Sequence, residues 1–147
     1  MSVYSFGNGK FGQLGLGNFE DSLQPSVIEG LKGKRIVSVS CGEHHSLAIS
    51  ELGNLYCWGR GKEGQLGIGE KVNVNTPMLV QALRHERITK AVCGFYHTLV
   101  LTSSGRLYTF GKLYKQNTND GGRQYFGLAV HMPGLKTQQM LDRSLQK

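Results

Sequence analysis

A chain of 147 residues with 39% hydrophobic content can build one domain with its own core, and 21 glycines mark unusually many tight turns. No apolar run approaches bilayer length and no basic-then-apolar leader opens the chain, so no membrane contact is expected and the cytosol or nucleus is the expected location. Three cysteines without CxxC spacing argue against a disulfide scaffold and a zinc site, while a net charge of +7 favours acidic partners.

In chain order, Val-Tyr-Ser-Phe at 3–6 alternates and reads as a strand entering a glycine-rich turn. The glycines of that turn read as backbone punctuation. A phosphate-cradling loop would lead into a helix with Lys-Ser/Thr, whereas this one leads to Asn, Pro and another strand. Residues 25–31 read as a short outer strand opening on Pro25, followed by the basic connector Lys32-Gly-Lys-Arg35. Ile36–Cys41 alternates strongly and is expected to be a buried strand. Cys41-Gly-Glu-His-His45 turns the chain, Ser46–Ile49 runs back, 51–54 turns again, and Leu55–Trp58 is the next strand.

The chain then writes the same text again. VYSFGNGKFGQLGLG at 3–17 becomes LYCWGRGKEGQLGIG at 55–69, a displacement of 52 that carries Gly7 to Gly59 and Gly15 to Gly67. The same displacement carries Pro25 to Pro77, Cys41-Gly42 to Cys93-Gly94, and His45 to His97, without a gap from 3 to 111. Strands are therefore expected again at 77–80, 88–93, 98–101 and 107–110. Four short strands per period is the pattern of a propeller blade. The fold class is all-β: a partial β-propeller of four-stranded antiparallel blades. Residues 1–31 would supply the outer half of a first blade, 32–82 a complete one, and 83–122 part of a third. Residues 123–147 form a divergent tail, with an amphipathic helix at 135–146 preferred over a frayed end.

The motifs C-G-x-x-H-[ST]-x-x-[LI], G-x-L-Y-x-[WF]-G and G-x-x-G-Q-L-G-x-G resemble the repeat of the regulator of chromosome condensation family. That resemblance implies seven-bladed propellers, and seven periods would need more than twice this length. The expectation is a fragment or short isoform, a homo-oligomer, or a chain packed against a larger assembly.

His45 and His97 recur at one offset, which favours a repeated structural hydrogen bond over metal binding or catalysis. Cys41 and Cys93 read as small buried side chains. No unrepeated nucleophile and base stand together, so no catalytic residues, metal or cofactor are expected. The mismatched positions are different: Glu43 aligns with Phe95, and His44 with Tyr96. A face combining these with Lys10, Arg60, Lys62 and Lys112 is the candidate partner-binding surface, mixing cations with aromatics. The leading expectation is a non-enzymatic protein-interaction module docking on an acidic protein surface. The resemblance adds two alternatives: nucleotide exchange on a Ran-like small GTPase, and binding of chromatin or nucleic acid. Light sensing by clustered tryptophans is disfavoured, because Trp58 is the single tryptophan.

Overall fold

The computed structural model describes residues 1–112. Their strands fall into three antiparallel sheets, each in chain order. The first contains β1 (Tyr4–Gly7) and β2 (Ser22–Val27). The second contains β3 (Ile36–Cys41), β4 (His45–Ser50), β5 (Leu55–Gly59) and β6 (Val74–Leu79). The third contains β7 (Ile88–Cys93), β8 (His97–Thr102) and β9 (Leu107–Gly111). The sequence period reappears as register. Val39 faces Ala48 as Ala91 faces Val100, and Tyr4 faces Val27 as Tyr56 faces Leu79. These sheets are successive blades of a partial β-propeller.

Neighbouring blades are held by two devices. The first is apolar packing. Leu47, Ile49 and Cys57 of the second blade share one core with Ala91, Cys93 and Val100 of the third. Ile28 and Leu31 similarly join Ile36, Ala48 and Trp58. Each fully buried aliphatic side chain contributes about 1.5–3 kcal/mol. The second device explains the glycines. Gly15 (φ +70°) and Gly67 (φ +65°) sit under the aromatic ring of the following blade. A Cβ on Gly15 would lie 2.8 Å from Trp58 Nε1, and one on Gly67 would lie 2.8 Å from the Phe110 ring. Only glycine permits both that backbone conformation and that approach. Trp58 completes the contact by donating Nε1–H to the Gln13 carbonyl at 2.9 Å.

Three expectations need correction. The outer strand lies earlier than 25–31: β2 ends at Val27, and Glu29–Leu31 is a 3-10 turn that buries Leu31. Residues 36–41 do form a strand, but Val37, Ser38, Val39 and Cys41 are exposed, so β3 is not a buried strand. Cys41 is consequently exposed while Cys57 and Cys93 are buried. The physical reason is that β7 packs against β3 and β4 of the blade before it, whereas among the described residues the first sheet holds β1 and β2 alone and neither packs on β3 in that way. The anticipated helix at 135–146 lies outside the described residues.

Candidate functional site

Because consecutive strands alternate direction, the turn between β3 and β4 and the glycine turn after β5 emerge on one face. One bond fastens them together: Arg60 donates its backbone N–H to the His44 carbonyl at 2.8 Å. One period later, Lys112 donates to the Tyr96 carbonyl at 2.8 Å. The mismatched residues Glu43, His44, Phe95 and Tyr96 are thus set beside the basic glycine turns.

Arg60 is the centre of this face. Its Nε and Nη2 donate to Glu63 Oε2 and Oε1 at 2.9 and 2.7 Å, a bidentate fork that fixes the guanidinium plane. Glu63 Oε2 also accepts from Gln65 Nε2 at 3.0 Å, which anchors the fork to a fully buried residue. The hydrogen bonds from Arg60 hold the Glu63 carboxyl below its ordinary range, and Glu63 in turn raises Arg60. The guanidinium carbon stands 5.0 Å from the Phe11 ring centroid and 5.7 Å from that of Tyr96. Phe11 belongs to the first repeat and Tyr96 to the third. A cation of the second repeat therefore bridges two aromatics from its neighbours.

The ridge extends in both directions. Phe11 lies 4.6 Å from the His44 ring, and Lys10 Nζ lies 5.9 Å from Phe11. Phe95 meets Tyr96 edge-on at 4.6 Å. Glu43 Oε1 is 3.5 Å from His44 Nε2. The structure therefore gathers Lys10, His44, Arg60, Phe95 and Tyr96 into one chain of contacts, with Glu43 attached through His44 and Lys112 through its backbone. Lys62 stands exposed on the same turn as Arg60. Sequence reasoning missed Phe11 and Glu63. The signal was available: they align across the period and do not match, as Glu43 and Phe95 do.

On the opposite face, cations are engaged locally. Arg35 Nη1 meets Glu51 at 3.2 Å, Lys32 meets Glu29 at 2.8 Å, and Arg106 meets Glu86 at 2.8 Å. Arg84 and Arg87 belong to the same connectors and donate to the Gln81 and Glu51 carbonyls, while Lys90 lies within β7.

Of the two repeated histidines, His45 ties the second blade to the third. Thr98 Oγ1 has one hydrogen, which it donates to the Gln65 carbonyl at 2.7 Å. It must then accept from His45 Nε2 at 2.9 Å, which fixes the Nε2–H tautomer of His45. Nδ1 is buried without a partner. Burial first, and the neighbouring His97 second, lower the pKa of His45 to about 4, so the ring is neutral at physiological pH. Among the described residues, no group of three or more His, Cys, Asp or Glu side chains is placed to hold a metal ion.

Stacked blades built from one repeat, with variable residues gathered on their turns, define a propeller-type repeat scaffold. Models of the regulator of chromosome condensation (RCC1) repeat match residues 2–49 and 53–101, and again 36–65 and 88–119, so the chain belongs to the RCC1-repeat family. It is 32% identical over 142 residues to the human E3 ubiquitin-protein ligase HERC2, covering 95% of this chain and 3% of that protein. Its fold matches human WBSCR16 with a TM-score of 0.76 at 26% identity, over 90% of this chain and 33% of that one. Prp20p from Saccharomyces cerevisiae, whose structure was described with its binding properties to Gsp1p and histones, matches with a TM-score of 0.73 at 20% identity. That match spans 92% of this chain and 35% of Prp20p. The chain thus spans about a third or less of each of these relatives.

Proposed function

We propose that this chain is a non-enzymatic docking module whose turn face, centred on Arg60, grips an acidic protein surface. The observation that supports this reading is the Phe11–Arg60–Tyr96 bridge, which joins three repeats into one rigid ridge of alternating aromatic and cationic groups. Glu63 engages Nε and Nη2 of Arg60, leaving the guanidinium other donors to offer a partner carboxylate or carbonyl. Exposed Phe95 supplies apolar area beside it, the aromatic-plus-arginine chemistry favoured at protein interfaces. Among the described residues the cations Lys10, Arg60, Lys62, Lys71 and Lys112 share these turns with the carboxylates of Glu20, Asp21, Glu43, Glu63 and Glu70, and that mixed sign favours a protein surface over a uniformly charged phosphate backbone.

The test is a photo-reactive residue in place of Lys62, with cross-linked proteins compared between the native face and a Phe95→Ala/Tyr96→Ala background. Discrete cross-links that disappear in the double variant support the reading. Cross-links of unchanged pattern and yield contradict it. If salt-sensitive capture of DNA or nucleosomes were lost on charge reversal of Lys10, Arg60, Lys62 and Lys112 yet indifferent to the aromatics, the partner would be nucleic acid. A second reading, nucleotide exchange on a small GTPase, draws on family membership and on the Gsp1p binding described for Prp20p. Accelerated release of labelled GDP from a panel of purified small GTPases would support it.

A further inference from the structure

We propose that Ser103 is a phosphorylation site whose phosphate is held by Arg87, as the Glu51 carboxylate is held by Arg35 one repeat earlier. The site lies among the connectors, on the side opposite the turn face, and does not depend on the partner assigned to that face.

The chain builds the same hairpin tip twice. In the second blade, Ser50 donates its backbone N–H to the Asn54 carbonyl at 3.0 Å, and Gly53 donates to the Ser50 carbonyl at 2.9 Å. In the third, Thr102 donates to the Arg106 carbonyl at 2.9 Å, and Gly105 to the Thr102 carbonyl at 3.0 Å. A hydroxyl closes each turn: Asn54 N–H donates to Ser50 Oγ and Arg106 N–H to Thr102 Oγ1, both at 3.2 Å. Each tip is also stitched to the connector that leads into its own blade. Glu51 donates its backbone N–H to the Arg35 carbonyl, and Ser103 donates to the Arg87 carbonyl, both at 2.8 Å. Glu51 and Ser103 thus hold one place in the repeat, and Arg35 and Arg87 hold another beside it.

The side-chain chemistry at this place differs between the repeats. In the second blade, Arg35 Nη1 donates to Glu51 Oε2 at 3.2 Å. In the third, Ser103 offers only an exposed hydroxyl, and among the described residues its Oγ has no hydrogen-bond partner. Arg87 is exposed and meets no carboxylate among the described residues; its Nη2 donates to the Glu51 carbonyl at 3.2 Å. The carboxylates around it are already engaged, Glu51 with Arg35 and Glu86 with Arg106. A guanidinium has more N–H donors than that one carbonyl uses.

A phosphate on Ser103 supplies the equivalent anion. Its oxygens stand as many bonds from Cα as those of a glutamate carboxylate, and it carries about −1.5 to −2 charges at neutral pH. It is therefore a stronger acceptor for arginine than the glutamate it stands in for. In the transfer, Ser103 Oγ attacks the terminal phosphorus of a nucleoside triphosphate held by a protein kinase. The new O–P bond replaces the bond to the departing nucleoside diphosphate, and the hydroxyl proton passes to the kinase's base. Ser103 is the acceptor in preference to Ser104, whose Oγ is paired with Thr102 Oγ1 at 2.9 Å inside the turn. Residues 103–106 are all exposed, so the tip is accessible. The modification ties the β8–β9 hairpin to the connector before β7 and lowers the positive charge of this side of the molecule.

The test installs phosphoserine at position 103 of the full chain during translation and follows the phosphate by phosphorus NMR through a pH titration. Its second ionisation should fall about half a pH unit or more below the ordinary value of about 6. Arg87→Gln should return it to that value, whereas Arg35→Gln should leave it lowered. An unshifted ionisation overturns the proposal, as does a shift that survives Arg87→Gln. Modification itself is read by incubating the unmodified full chain with ATP and a panel of purified serine/threonine kinases, then mapping phosphate on the tryptic peptide 91–106. Phosphate that is lost in Ser103→Ala and kept in Ser104→Ala supports the assignment. Phosphate on Ser104 alone, or no phosphate on this peptide with any kinase of the panel, overturns it.

Discussion

β3 and β7 hold the same place in successive blades, with the same length, the same register and the same Cys-Gly ending, yet their surroundings are opposite. Ala91 and Cys93 of β7 lie in the core that joins the second and third blades, whereas Val39 and Cys41 of β3 face outward. The lesson is that burial in this fold belongs to the contact between blades and not to a strand's own alternation. Stacked repeats bury their faces only against neighbours.

Substitutions can break or sharpen that comparison, and the largest effect should come from the occupied interface. Leu47→Ala empties a site that is 0% exposed and should cost about 2–5 kcal/mol in chemical denaturation. Val39→Ala, on the open side, should cost less than about 1 kcal/mol. Equal losses would erase the distinction between the two interfaces.

Acid should come next, because the His45–Thr98 tie crosses the same occupied interface. His45 titrates at about 4 in the fold and near 6.5 when unfolded, so the unfolded chain takes up the proton first as pH falls. Its stability contribution is complete above pH 6.5 and is lost as pH falls toward 4, amounting to about 3 kcal/mol. Denaturation at a series of pH values should show that decline, and His45→Gln should flatten it. A decline of the same size in His45→Gln would place the acid sensitivity elsewhere.

The glycine seats test whether the first blade is tied to the second as firmly as the second is to the third. Gly15→Ala and Gly67→Ala each force a Cβ toward an aromatic ring from a positive φ, and each should cost about 1–3 kcal/mol. A harmless Gly15→Ala beside a costly Gly67→Ala would mean that the first blade is loosely attached. The smallest effect on stability should be Arg60→Lys, which keeps the charge but loses the fork to Glu63 and the flat stacking surface. Its expected cost is about 0.5–1 kcal/mol in thermal unfolding, with a much larger loss of partner cross-linking.

Much of this fold was legible because the chain states it twice. Matching Leu55–Gly69 against 3–17 located strands and turns that single-segment periodicity would have left ambiguous. It also marked His45 and Cys93 as scaffold. The same text misled at Cys41, since a sequence repeat carries no information about whether the neighbouring blade is in place. Pro25 has the look of a strand start and so points to a later β2, while the strand already begins at Ser22, whose hydroxyl donates to the Gln24 carbonyl. At the turn face, mismatch across the period picked out Glu43, His44, Phe95 and Tyr96. Phe11 escaped because its partner Glu63 looked like an ordinary surface acid. Its role emerges only once the fold brings Arg60 between two rings.

The central claim is that one blade interface is closed and its equivalent is open, and cysteine alkylation of the native chain tests it most directly. Cys41 should be modified orders of magnitude faster than Cys57 and Cys93, which are buried and whose thiols burial pushes away from the reactive thiolate. Modification of Cys93 as fast as Cys41 in the folded protein would contradict the account.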